Sequence, residues 1–223
     1  KLRELIVQTA SDLIEEPVVM ENGSVRSASG RIVELPLVAY HHHSLTCGLN
    51  LIGEGHYVPE PSVYDETGYG NIAITYSFAA HAAEVEVDKN TGAATIHKIA
   101  AAHDSGKIIN HISALGQVLG GVTQGLGMSS YVGYLFDQGR VANASLADYR
   151  IPTSLDVPVV VPIFIEQEDP EGPLGAKGLG EIVQIPVIGA IANAVADAVG
   201  VRVTDLPITA EKVFQALSGW ECE

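Results

Sequence analysis

The chain is short of positive charge. Its 223 residues carry 12 Lys and Arg against 27 Asp and Glu, a formal charge of −15. A chain this acidic repels phosphate backbones, which argues against nucleic acid as a partner. Cysteine is scarce as well. Cys47 and Cys222 are the only two, too few for a disulfide framework and without the CxxC spacing of a metal site. No apolar run reaches the length of a membrane span, and no signal peptide opens the chain. A cytoplasmic protein is the simplest expectation. Internal repeats, linkers, and Walker or dinucleotide-binding glycine motifs are also missing. What is present is 47% hydrophobic and long enough for one large domain or two small ones.

Read in order, residues 1 to 14 predict an amphipathic helix, with Leu2, Leu5, Ile6, Thr9, Ala10 and Leu13 on one face and Pro17 stopping it. Val18 to Val25 predicts a hairpin, because Asn22-Gly23 supplies the positive φ values of a tight turn. Arg31 to Pro36 starts a helix or a strand that leads into His41-His42-His43. Consecutive histidines point in different directions, so they seldom chelate one ion. A polar loop or helix face near a subunit contact is the preferred reading of the three. Gly53-Glu54-Gly55-His56-Tyr57 leads into a proline-rich loop over 59–70. Ile72 to Asp88 and Ala93 to Asp104 predict two strands, the first with Val85 and Val87 alternating with acidic residues. A turn at Asp88 to Gly92 joins them. Val157 to Glu166 predicts a further strand. Val187 to Gly200 predicts a helix ended by Gly200, and Thr209 caps a short last helix.

Two stretches carry chemistry. Gly172-Pro173-Leu174-Gly175-Ala176-Lys177-Gly178-Leu179-Gly180-Glu181 holds four glycines, one lysine and a final carboxylate ahead of an apolar run. Such glycines admit a bound group close to the backbone, and a carboxylate placed there suits a general base. A plain surface turn with an incidental Glu is the alternative. The second stretch, Gly116 to Gly127, predicts a helix with a small-residue face at Gly120, Gly121 and Gly125. That face suits close approach by another backbone or by a flat ligand. Gln117, read as near the helix start, can donate and accept hydrogen bonds; tight packing with Gln117 capping a loop is the alternative.

Several segments together resemble the C-terminal end of the molybdenum-binding subunit of the xanthine dehydrogenase/aldehyde oxidase family. They are the Gly175 to Glu181 loop with its following small-residue helix, and the Gly200-Val201-Arg202-Val203-Thr204-Asp205-Leu206-Pro207-Ile208-Thr209 ending. The Ala83 to Gly92 hairpin, the His103 to Asn110 turn, the Gly116 to Gly127 helix and Asp148 to Thr153 complete the set. The resemblance implies an α+β fold of the molybdenum-cofactor-binding type, mixed sheets flanked by helices, with a strand over Gly53 to Tyr57. It spans 1–223 as one unit, with two intertwined α+β subdomains as the alternative. It implies a molybdenum hydroxylase that hydroxylates an electron-poor carbon of an N-heterocycle, of nicotinate or purine type, with oxygen from water. An aldehyde oxidoreductase and a non-catalytic scaffold that binds protein partners are the alternatives.

The resemblance assigns Glu181 as general base, and Gln117 and the backbone of Leu179 as contacts of molybdopterin or molybdopterin cytosine dinucleotide. It assigns no metal ligand. Lys177 either tunes the local charge or makes a structural salt bridge. Tyr149 and Arg150 read as structural, packing and pairing near the loop. The family's upstream G-Q-G-x-x-T segment, its cysteine clusters and a flavin motif are not in these residues. Iron–sulfur clusters, FAD and the remaining molybdopterin-binding half are therefore expected on partner domains or chains. The chain is either an excised part of a longer subunit or a medium chain of a split one.

Overall fold

The computed structural model describes residues 1–57, 65–70 and 73–219. It divides into two compact units, Lys1–Val58 and Pro59–Glu223. No helix among the described residues is long and apolar enough to cross a membrane.

In the first unit, α1 (Leu2–Ile14) ends at Glu15 in a left-handed conformation, two residues before Pro17. Strands β1 (Val18–Glu21) and β2 (Ser24–Ser27) form the expected hairpin, with Asn22 and Gly23 both at positive φ. Strand β3 (Ile32–Val33) adds to β2, and α2 (Leu35–Leu45) follows. Ala10, Val18, Val25, Val33 and Val38 make a small separate core. The three histidines lie on α2, where the carbonyl of His42 accepts from the amide and hydroxyl of Thr46. Among the described residues no group of three or more His, Cys, Asp or Glu is placed to hold a metal. The strand expected over Gly53 to Tyr57 does not form. Gly53 instead backs onto the first turn of α1, so close that a Cβ there would meet Leu2. Residues 58–64, which include the first half of the proline-rich loop, lie outside the described residues, as do 71 and 72, the second of which begins the next predicted strand.

The second unit is built on a three-stranded sheet. Strand β4 (Phe78–Val87) pairs antiparallel with β5 (Ala94–Asp104), and β5 pairs parallel with β8 (Val159–Ile165). Helix α3 (His111–Ser130) and the small β6 (Phe136–Asp137) and β7 (Arg140–Val141) hairpin lie between β5 and β8 in the chain. Helices α4 (Ile185–Val199) and α5 (Ala210–Ser218) close it. Ile99 and Ala101 of β5 share a core with Val118, Val122 and Leu126 of α3 and with Val187, Ile191 and Val195 of α4. One sheet face is therefore covered by helices. Gly200 ends α4 in a left-handed conformation and Thr209 caps α5 through its hydroxyl. These are the two caps the residue types dictate.

Tyr149 stacks on Tyr134, ring centres 5.2 Å apart. Arg150 is exposed and makes no ion pair among the described residues, so the expected pairing is not formed there.

Candidate active site

The glycine-rich loop is held from behind by the turn that leaves β5. The Lys177 amide donates to the Ser105 carbonyl at 2.8 Å, and the Lys107 amide donates to the Gly175 carbonyl at 2.9 Å. Gly106 makes this docking possible. It has φ +63, and a Cβ there would overlap the Gly175 carbonyl. No other residue tolerates both conditions. From the other side, the Ser77 hydroxyl donates to the Gly178 carbonyl at 2.6 Å. Backbone groups at Gly175, Lys177 and Gly178 thus find partners on both flanks.

Lys177 turns out to be structural. Its Nζ lies 2.8 Å from Asp104 Oδ2, with the two side chains only 5% and 15% exposed. Burial pushes the Asp104 carboxyl up, but hydrogen bonds from Lys177 and the Gly106 amide, with the Lys177 charge, outweigh it and hold it below its usual range. The Phe78 ring lies 5.5 Å from Nζ and adds a cation–π contact. A pair this far from water contributes little net stability while intact and costs heavily if one partner is lost.

Helix α3 starts earlier than its glycines suggest. Asn110 caps it through a bond from the Ser113 amide, so Gln117 stands in the second turn and not at the helix terminus. From there its Nε2 donates to the Gly180 carbonyl at 2.9 Å. The carbonyl acceptor fixes which way the amide faces. The side-chain oxygen then has no partner among the described residues.

The small-residue face divides by position. Gly121 and Gly125 are buried, and a Cβ on either would run into Val183 or Val187. They serve helix packing. Gly116 and Gly120 are exposed and face open space, as do Gly178 and Gly180 of the loop.

Between α3 and the loop lies a cleft of about 350 Å³, whose lining includes Ser105, Asn110, Gln117, Lys177, Leu179 and Gly180. Gln117 and Leu179 are therefore brought together. The Leu179 side chain packs on the core, which leaves its backbone at the cleft. Glu181 follows Gly180 directly and is exposed. Ser105 is 2% exposed, and its hydroxyl has no partner among the described residues. A buried hydroxyl without a partner among the described residues, beside a free amide oxygen and the bare backbone of Gly180, fits a flat ligand with polar edges.

Ser105 and the histidines of the sheet were not singled out in the sequence. His103 is fully buried, and its Nε2 lies 2.9 Å from that of His81. Both rings keep an unpartnered Nδ1. Burial, then the charge of His103, lowers the His81 pKa to about 4, and burial lowers that of His103. The two-residue spacing that puts His103 on the same strand face as the apolar Ile99 and Ala101 was the available signal that it points inward.

Residues 1–158 match the family model of the molybdopterin cofactor-binding domain. Subunit gamma of the 6-hydroxypseudooxynicotine dehydrogenase complex of Paenarthrobacter nicotinovorans is 34% identical over 164 residues, 72% of this chain and 21% of that one. The aldehyde oxidoreductase molybdenum-binding subunit PaoC of Escherichia coli is 36% identical over 155 residues, 67% of this chain and 21% of that one. Among solved structures, quinoline 2-oxidoreductase from Pseudomonas putida 86 matches with a TM-score of 0.70 and 30% identity. That match covers 97% of this chain and 28% of the quinoline enzyme's. The chain thus spans between a fifth and a third of the length of these proteins.

Proposed function

The chain belongs to the molybdopterin cofactor-binding domain family, and on that premise we propose that it forms one wall of a molybdenum-hydroxylase active site with Glu181 as the general base. The observation that carries this reading is the convergence of Gln117, Leu179 and Gly180 on one cleft, with Glu181 next in the chain. Gln117, through its free amide oxygen, and the backbone at Leu179 would hold molybdopterin or its cytosine dinucleotide. The Ser105 hydroxyl offers a further polar contact. When bound, the molybdenum centre supplies hydroxylation of an electron-poor carbon with water-derived oxygen. A Glu181 carboxylate oxygen would accept the proton given up by that water-derived oxygen. The remaining molybdopterin-binding half, iron–sulfur clusters and FAD are supplied by partner domains or chains.

The substrate class we propose is an N-heterocycle, as in the names of the pseudooxynicotine and quinoline relatives. An aldehyde is the second reading, favoured by the similarity to the aldehyde oxidoreductase subunit. Turnover of the native assembly on both classes separates them. The test of the base is Glu181→Gln in that assembly. Molybdenum content should stay unchanged while turnover falls about 10²- to 10⁴-fold, the usual range for a positioned general base. Unchanged turnover would overturn the catalytic reading and favour a scaffold.

A further inference from the structure

The loop from Gly175 to Glu181 is anchored in two ways. At its start the anchors are backbone groups: the Gly175 carbonyl accepts from the amides of Lys107 and Asp169, and the Lys177 amide donates to the Ser105 carbonyl. Toward Glu181 the anchors are side chains. The Gly178 carbonyl accepts from the Ser77 hydroxyl at 2.6 Å, and the Gly180 carbonyl accepts from Gln117 Nε2 at 2.9 Å. Both glycines are exposed, and a Cβ on either would meet nothing within 4 Å. Neither packing nor a side chain of their own restrains the backbone there, and glycine ranges over more of φ/ψ space than other residues do. The two hydrogen bonds therefore carry the restraint. Ser77 comes just ahead of β4, and its neighbour Phe78 lays its ring 5.5 Å from Lys177 Nζ. Two successive residues thus grip two successive residues of the loop.

We propose that Ser77 is a positioning residue for Glu181, holding the segment from Gly178 to Glu181 in the orientation in which the carboxylate works. The inference rests on the general-base reading of Glu181 above. Gly178 precedes Glu181 by three residues. With glycine at both 178 and 180, no side chain at those positions stops a rotation of the Gly178 peptide from being passed on to Glu181. A small misplacement of a reacting group is costly, so a donor that fixes this peptide matters to the rate. Gln117 holds the second anchor from α3, but it also lines the cleft, so its loss mixes ligand binding with loop position. Ser77 is not among the residues that line the cleft. Its effect on the reaction therefore runs through the loop.

The test is Ser77→Ala in the native assembled enzyme, with Ser77→Cys, which keeps the shape and only a weak donor, as the variant to use if the first lowers assembly. Hydrogen exchange of the peptide over residues 175–183 should speed up. The kcat should fall about 10- to 10²-fold, the scale of a misplaced catalytic group, with KM and molybdenum content unchanged. Ser77→Thr, which keeps the hydroxyl, should restore both exchange and kcat. In a Glu181→Gln background Ser77→Ala should add little, because groups that act as a unit are non-additive. Unchanged exchange or unchanged kcat overturns the proposal and leaves the base reading standing, since Glu181→Gln alone reports on that. A full further loss in the Glu181→Gln background also overturns it, because Ser77 then acts independently of the base. Full turnover by Glu181→Gln sinks the base reading itself, and the role of Ser77 toward the base falls with it.

Discussion

The two sides of the glycine-rich loop are built on opposite terms. Behind it, the contacts are close: Gly106 under Gly175, Lys177 on Asp104, Gly121 under Val183, His81 on His103. In front of it, Gly180 faces open space and Gln117, with half its amide free, lines the cleft; Gly116 and Gly120 on α3, Gly178 and Glu181 are exposed as well. The close-packed side fixes the loop's position; the open side is what a ligand and the rest of an assembly meet. A catalytic group is useful only if its support is rigid, because small misplacements are costly. The contrast teaches that the same residue type, glycine, serves packing on one side and access on the other.

The largest effect expected from breaking the supporting side is at the ion pair. Lys177→Met leaves the Asp104 carboxylate nearly buried and unpaired, which costs about 3–5 kcal/mol. Chemical denaturation of the variant and the parent measures it. Gly121→Ala comes next. The added methyl meets Val183, and such overpacking costs about 1–3 kcal/mol, read as a lower thermal midpoint.

The histidine pair supplies a smaller, pH-dependent effect. An unfolded histidine takes up its proton near pH 6.5, whereas folded His81 does so only at about 4. Between those values the unfolded state binds more protons. The contribution to stability is therefore unaltered above that window and falls as pH drops through it. Thermal midpoints between pH 7.5 and 4 follow the fall, and His81→Gln flattens it. The smallest effect sharpens the comparison directly. Gly120→Ala, on the open side, meets nothing and gains helix propensity, up to about 1 kcal/mol. Opposite signs for Gly120→Ala and Gly121→Ala confirm that the two faces of α3 differ in kind; the same sign for both removes the distinction.

Much of the fold was legible where local rules decide. The Asn22-Gly23 hairpin, the alternation of Val85 and Val87, the caps at Gly200 and Thr209, and the helix around Gln117 all follow from short-range chemistry. Other features were not legible, because they depend on residues far apart in sequence. The resemblance implies a strand over Gly53 to Tyr57, but no strand among the described residues pairs with it. Gly120 and Gly121 are neighbours with opposite environments, which only the placement of Val183 determines. Asp104 and Lys177 are each unremarkable in the sequence and meet only because Gly106 lets the loop seat on β5. Ser105 gained its significance from having no partner, a property no linear pattern records.

By itself, then, the sequence determined the elements, their caps and the family resemblance on which Gln117, Leu179 and Glu181 were chosen, because backbone propensity and side-chain periodicity act over a few residues. Tertiary structure alone decided that Gln117 reaches Gly180 and that Lys177 is bound to Asp104. Those outcomes are set by packing and charge pairing between segments tens of residues apart, where burial makes an unpaired charge or a misplaced methyl too costly to keep.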